Sequence, residues 1–464
     1  MPVSAKLDLN RLPVWRALAR TSAPMTIGIL GVLSVGLADA WFLARAGETE
    51  LTAIGFIYPV IVALTSLSIG LGAGTSAVVS QALGRTGGDD STSARLALHA
   101  LLIASVLAVT TALVFWLTAP ALFGLMGARG AVLDAVLAYV PYWCLSFPPM
   151  VAGMALNAVY RAGGESQIAA TVMLLQSVLN IALDPLFIFG WGPVPEMGID
   201  GAGLATMLAR TVGFAGLAMF AFWSGRLCLN LGALKGFGGS LRKIVHVGGP
   251  AALSNAINPA GMALVTSAVA VVGDTAVAGF GAATRVQSLV FVPMLALSAG
   301  IGPVVGQAWG AETPERAQAT VRLTFWLCAG YGAALCGVLW AFADPLAQLV
   351  ADGQAAAELA AQYLRVVSVS FFGYGILITA NAAMNARDRA LWSMGLSAAR
   401  IALVYVPLAW VGVMVAGYPG ILAAAVLANL AAVWGALVLC QAVGLLDLKL
   451  PGVSGPARRL QPAD

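Results

Sequence analysis

Long apolar blocks, each set off from the next by a few polar or glycine-rich positions, run through the whole chain. A block of roughly 20 apolar residues is long enough to cross a bilayer as a helix. Segmented on that basis, the sequence predicts twelve spans. Six lie near residues 20–45, 52–84, 94–117, 131–160, 166–190 and 200–223, and six near 245–272, 277–309, 320–342, 358–385, 391–415 and 420–443. The fold class this predicts is an all-α polytopic membrane protein. The polar interval 224–243 reads as a cytoplasmic linker between an N-terminal lobe, 1–223, and a C-terminal lobe, 244–464. The basic stretch ahead of the first block has the look of a leader. Its apolar run is too long for one and lacks a small-residue cleavage site, so it is kept as span one.

The two lobes repeat each other. Adding 226 to a first-half number pairs Pro24 with Pro250, Gly47 with Gly273, Gly55 with Gly281, Gln81 with Gln307 and Gly84 with Gly310. Shared apolarity alone does not hold one offset over sixty positions. Each half has an even number of spans, so both start on the same side. The halves are therefore expected to be parallel repeats, two six-helix lobes related by a pseudo-two-fold along the membrane normal. Charge sets the orientation. With the N-terminus inside, eighteen Lys and Arg residues fall in inner segments and two, Arg45 and Arg129, in outer ones, which places both termini in the cytoplasm.

Composition agrees with the pattern and closes off other classes. The 464 residues are 60% hydrophobic and 9% charged, with mean hydropathy +0.90, against about 25% charged in soluble domains. Net charge is +4 with no dense basic cluster, so no nucleic-acid partner is expected. Cys144, Cys228, Cys328, Cys336 and Cys440 fall in apolar runs without CxxC spacing and read as small buried hydrophobes, so neither a disulfide nor a metal site is expected. His99 and His246 read as structural. Gly70-Leu71-Gly72-Ala73-Gly74 lies inside a span with no preceding strand and is discounted as a nucleotide loop.

The chemistry centres on Gln176 to Gly190, QSVLNIALDPLFIFG. Asn180 and Asp184 are four apart and share a helix face. An acid at mid-helix costs about 2.5–3.5 kcal/mol on insertion scales, so such groups persist mainly where they face a watery cavity. The other reading is an acid at the outer end of the span, satisfied by water and its own backbone. Pro185 removes a donor and restricts Asp184, predicting a helix bent or locally open beside the acid. Of twenty acidic residues only Asp184 and Asp39 lie clearly within spans, each about six residues, or roughly 9 Å, below the outer boundary. The second half has lost both: Asp39 pairs with Val265, Asp184 with Val404 and Asn180 with Arg400. A one-sided acid pair in a symmetric scaffold is what an ion site in one lobe leaves.

Two carboxyls in a partly dry pocket resist double ionisation and titrate as a unit, so the pair can take up and release a proton. Asn157, Thr206 and Tyr139, at comparable depth, either complete this hydrogen-bond network or make interhelical bonds. Arg285 is the candidate counter-charge in the other lobe, while Arg365 and Arg400 read as packing arginines. Pro24, in the inner half of span one, either bends that helix as the acid's partners change or makes a static kink.

Several stretches resemble the multidrug and toxic compound extrusion (MATE) transporters over nearly the whole chain. These are LADAWFLARAGETELTAIG (37–55), SQALGRTGG (80–88), NIALDPLFIFG with MGIDGAGLAT (180–206), GQAWGAETPERA (306–317) and NAAMNARDRALWS (381–393). The resemblance implies two rocking lobes and efflux of organic, often cationic or amphipathic, compounds in exchange for protons or sodium. It also implies an inner-membrane location, no cofactor and a chain working as a monomer. The DinF-like branch carries its proton site in the N-terminal lobe, which matches Asp39 and Asp184 with Asn180, Asn157 and Thr206. Sodium-type branches carry a glutamate on the seventh helix and an aspartate on the tenth. This chain has neither in PAALSNAINPAG or VVSVSFFGYGILITANAAMN, so protons are expected, with sodium at the same acids the variant reading.

The alternative transport reading is a lipid-linked-precursor flippase of the same superfold, supported by Arg210, Arg285 and Arg400. A membrane enzyme lacks any metal-ligand cluster, aspartate-rich motif or nucleophile-plus-base spacing, so the protein is not expected to be an enzyme.

Overall fold

The structure, a computed structural model, describes residues 9–88, 90–191, 193–228 and 230–447. Lys6, Lys449, Arg458 and Arg459, which contribute to the charge asymmetry, lie outside them. Among the described residues all regular structure is helical. The first six spans form α1 (Val14–Ala46), α2 (Glu48–Thr86), α3 (Asp90–Leu125), α4 (Gly130–Ala162), α5 (Ser166–Ile188) and α6 (Gly198–Trp223). The last six are more broken. They comprise α7 (Phe237–Ala270), α8 (Asp274–Val290) with α9 (Val292–Gly310), and α10 (Pro314–Val350). They continue with α11 (Gln354–Ser368) and α12 (Phe371–Ala386), then α13 (Ala390–Ala398), a π-helical segment Ala399–Tyr405 and α14 (Val406–Ala416), and end with α15 (Tyr418–Ala442).

Each interruption has a local cause. The predicted span 277–309 divides at Phe291 because Pro293, in the first turn of α9, has no N–H to give and clashes with the turn before it. In α10 the backbone departs from helical values at Phe342, just ahead of Pro345. Between α11 and α12 the axis bends by 59° without a proline. There Ser368 and Ser370 turn their hydroxyls back onto the carbonyls of Arg365 and Val367, competing with the helical ladder. The π segment precedes Pro407, whose missing donor the wider turn absorbs. Among the described residues ten helices are long and apolar enough to span a membrane, eleven counting the bent pair. α7 falls short of that because it carries Arg242, Lys243, His246, Ser254, Asn255 and Asn258, and α8 because it is short.

The chain forms two compact units. The first comprises the described chain from Pro24 to Ala252, and the second Leu9–Ala23 with the chain from Leu253 onward. Both divisions fall inside helices, in α1 at Pro24 and in α7 two residues past Pro250, whereas the interval 224–243 holds a loop with a 3-10 turn and the first residues of α7. The start of the chain is bonded into the second unit: Leu9 N–H donates to Gln307 Oε1 at 3.2 Å, Thr21 Oγ1 to the Gly300 carbonyl at 3.1 Å and Arg316 Nη2 to the Leu12 carbonyl at 2.6 Å.

In the first unit α4 is the hub, packed on α2, α3 and α6. Its core holds Trp143 stacked on Phe147, centroids 4.8 Å apart, with Phe115 edge-on to the same indole. The linker is docked onto α3. Buried His99 donates from Nε2 to the Ala233 carbonyl at 2.7 Å and pairs through Nδ1 with the Ser240 hydroxyl at 2.8 Å, a structural role. Two cysteines depart from expectation. Cys228 is exposed, because it sits in the linker past the end of α6, and Cys336 is only partly covered. In the second unit one core gathers α8, α10, α11 and α15 around Phe280, Phe291 and Phe371.

Candidate functional site: a carboxylate pair in the first unit

Small residues bring α1 against α5. A Cβ on Gly28 would meet Ala170 at 3.1 Å, and one on Gly31 would meet Ser177 Oγ at 3.2 Å, so the two helices run alongside in the same direction. From the Gly31–Ser177 contact, Asp39 is eight residues further along α1 and Asp184 seven along α5, both roughly 11 Å at helical rise. The two carboxyls meet as that register requires, close enough for a side-chain hydrogen bond. Ionised carboxylates only accept, so a hydrogen bond between the two needs a proton on one of them. Asp184 is fully buried and Asp39 half-buried. Beyond them Phe42 of α1 meets Phe189, just past α5, edge to face.

Pro185 does not end α5. The helix continues one more turn to Ile188, closed by the Phe189 N–H on the Pro185 carbonyl at 3.3 Å. The next helix is pressed onto that end. A Cβ on Gly201 would stand 2.4 Å from the Phe187 carbonyl, and one on Gly203 2.9 Å from Tyr142 of α4, so only glycine lets α6 settle against both neighbours. That approach carries Thr206 to Asn180. The Asn180 amide nitrogen lies 3.3 Å from Thr206 Oγ1 and 3.5 Å from Asp184 Oδ1, linking α5, α6 and the acid. Asn180 Oδ1, Asp184 Oδ2 and Asp39 Oδ1 are buried with no protein partner among the described residues.

Arg210 is the cation of this site. It is one turn past Thr206 on α6, donates from Nη1 to Ser146 Oγ of α4 at 2.9 Å, and lies within electrostatic reach of Asp39 and Tyr139. Sequence reading offered Arg285, in the other lobe, as a candidate counter-charge. Arg285 is exposed on α8 in the second unit, and the charge coupled to Asp39 is that of Arg210. The i, i+4 spacing of Thr206 and Arg210 was the available signal. Tyr139 is buried on α4 within reach of both acids and Arg210. Asn157 is buried further along α4, its Oδ1 without a protein partner and in no hydrogen bond to the pair. A groove of about 640 Å³ follows α5 and α6, from Gln167 to Leu179 on one and Ala209 to Phe220 on the other.

Among its described residues the second unit has no such pair. Val265 is fully buried in its main core and Val404 packs against the same cluster. Arg365 pairs with Asp344 at the surface. No cluster of metal-ligating side chains occurs among the described residues.

A family model described as MatE matches residues 24–186 and 250–411, once in each half and 226 residues apart at their starts, the offset of the internal repeat. The chain is 33% identical over 422 residues to a FAD transporter of Shewanella oneidensis, covering 90% of this chain and 92% of that one. It is 24% identical over 376 residues to the multidrug export protein MepA of Staphylococcus aureus, covering 80% and 81%. In structure it resembles the Vibrio cholerae MATE transporter VcmN in its bent form, with a TM-score of 0.86 and 28% identity over 93% of this chain and 97% of that one.

Proposed function

Since the chain belongs to the MATE family of multi-pass membrane transporters, and is not an enzyme, we propose that it exports amphipathic, often cationic, organic compounds by exchanging them for protons. The coupling pair in this reading is Asp39 and Asp184, and the observation that carries it is that α1 and α5 bring the two carboxyls within side-chain hydrogen-bonding reach of each other.

The proposed cycle runs on electrostatics. With the pair deprotonated, two adjacent carboxylates attract a cation and are offset only in part by Arg210. A proton entering from outside is shared between the acids, so the one negative charge that remains is balanced by Arg210, the attraction for a cation is lost and a bound cation is released outward. Reorientation then delivers the proton to the inside, and Asn180 holds the Asp184 oxygen that is left ionised. Thr206 orients Asn180. Tyr139 supplies a buried hydroxyl beside the same charges. Pro24 fits a hinge, because α1 passes from one compact unit to the other at that residue and proline leaves the Arg20 carbonyl without its helical donor. The charge asymmetry supports an orientation with both termini in the cytoplasm of an inner membrane.

The test is efflux of ethidium from cells expressing wild type, Asp39→Asn or Asp184→Asn, at constant sodium, with the proton gradient intact or collapsed. Dependence on the gradient, with both variants inactive though expressed, is the expected result. Variants that pump normally would overturn it, and wild-type efflux that persists with the proton gradient collapsed would replace the ion.

A second reading of the cargo follows from the similarity to the Shewanella FAD transporter: a flavin dinucleotide is exported by the same mechanism. Flavin appearing in the medium of expressing cells, and absent with Asp184→Asn, separates it from the first.

A further inference from the structure

Arg400 occupies, in the second unit, the repeat position that Asn180 holds in the first. It is 92% buried, ten residues into the 27-residue span Ala390–Ala416, and so about 15 Å from its start. A guanidinium at that depth is costly and marks a functional site by default. Its bonds go to neutral acceptors. Nη1 donates to Asn258 Oδ1 of α7 at 3.1 Å, and Nη2 to Asn429 Oδ1 of α15 at 2.9 Å. Asn258 in turn donates to the Tyr374 hydroxyl at 3.1 Å, and Asn429 to Ser370 at 2.9 Å. The buried Nε–H has no protein partner among the described residues.

Among the described residues no carboxylate is coupled to this charge. The groups electrostatically coupled to Arg400 are the phenols of Tyr374, Tyr405 and Tyr363. Every acid described in the second unit lies in a turn or within two turns of a helix end, and the one ion-paired acid, Asp344, serves Arg365. The backbone at Arg400 is π-helical, an irregularity that concentrates at functional sites.

The cluster has a covered side and an open one. Asn429 and Ser370 are buried, whereas Asn258 and Tyr374 are half-exposed. The guanidinium stands over the Tyr374 ring, 5.4 Å from its centroid, and that ring stacks on Phe291 at 4.7 Å. The site therefore offers a fixed cation, a spare N–H, a phenol hydroxyl out of the guanidinium plane, and an aromatic wall. Donors that are not coplanar suit a tetrahedral oxyanion better than a flat carboxylate.

We propose that Arg400, with Asn258, Asn429 and Tyr374, is a binding site for the phosphate group of an organic phosphate with an aromatic body. That this ligand is carried across the membrane rests on the proposed transport function; that it binds does not. A phosphate supplies the missing counter-charge, and the aromatic body packs beside the partly exposed Tyr374. The same phosphate chemistry belongs to a soluble nucleotide and to an anionic lipid headgroup.

Binding is measured on the full chain in phosphatidylcholine nanodiscs, with ADP and adenosine as a pair differing only in charge. Wild type is expected to bind ADP at least tenfold more tightly than adenosine, about 1.4 kcal/mol, and to melt higher with ADP alone. Arg400→Gln abolishes the preference, Arg400→Lys keeps part of it, and Arg365→Gln leaves it intact. If phosphatidylglycerol weakens ADP binding in wild type but not in Arg400→Gln, the headgroup competes for this site and is its source of phosphate. Equal binding of ADP and adenosine by wild type overturns the proposal without any variant. So does undiminished ADP preference in Arg400→Gln. Inactive efflux with intact ADP preference overturns the transport reading and spares the site.

Discussion

The side-chain amide of Asn180 reaches the Asp184 carboxylate across a single turn of α5, at 3.5 Å, while the same nitrogen lies 3.3 Å from Thr206. One donor thus ties the acid to the neighbouring helix. A hydrogen bond to a charged group is worth about 1.5–3 kcal/mol, and each 1.4 kcal/mol is a factor of ten. Asn180→Ala is therefore expected to lower proton-driven ethidium efflux by about ten- to a hundredfold, with expression preserved. Thr206→Val removes only the orienting partner and should cost severalfold. Equal losses in the two variants would show that Thr206 acts on the acid pair by another route.

Arg210 and Arg285 make opposite predictions. Arg210→Gln removes the charge beside Asp39 together with the bond to Ser146, so efflux should fall by about tenfold or more, the effect of losing one charge-assisted bond. Arg285→Gln alters an exposed side chain on α8 and should leave efflux within a factor of two or so of wild type, the range of ordinary surface substitutions. Transport rates normalised to folded protein decide between them.

Two glycines of α6 can be set against each other. At Gly201 a methyl group would press on the Phe187 backbone, and overpacking of that kind costs about 1–3 kcal/mol. At Gly216 a methyl meets nothing within 4 Å, and alanine should stabilise the helix by up to about 1 kcal/mol. Thermal unfolding in detergent should show Gly201→Ala melting below wild type and Gly216→Ala at or above it.

The acids cannot simply be moved to the other unit. Val265 stands where the repeat places Asp39 and is fully buried among apolar side chains. An unpaired buried charge there should cost on the order of 3–5 kcal/mol, the penalty seen when one member of a buried ion pair is removed. Val265→Asp is expected to lower the melting temperature and to restore no efflux to an Asp39→Asn background. Restored efflux would mean that the second unit can host the coupling site as well.

Much of this was legible in one dimension. Twenty apolar residues in a row are a property of the chain alone, so the number and order of spans, the helical class and the repeat follow from the residues themselves. So does the choice of Asp39, Asp184 and Asn180, because an acid inside such a run is rare and its partner one turn away shares its face. Prolines at 293, 345 and 407 even mark where the ladder must yield, although the bend at Ser370 has no proline to announce it.

What one dimension lacks is rotation and approach. Which faces meet in lipid depends on close contacts between residues far apart in sequence, such as Gly31 with Ser177 and Gly201 with Phe187. Those contacts bring Asp39 to Asp184, make Arg210 rather than Arg285 the cation of the pair, and leave Asn157 apart from it. They also carry the first turns of α1 into the second unit, so that Pro24, a mere kink in the sequence, marks the division between the two compact bodies. The same is true of Arg400. The sequence shows an arginine at membrane depth, and only the packing of α7, α12 and α15 around it shows that its partners are all neutral.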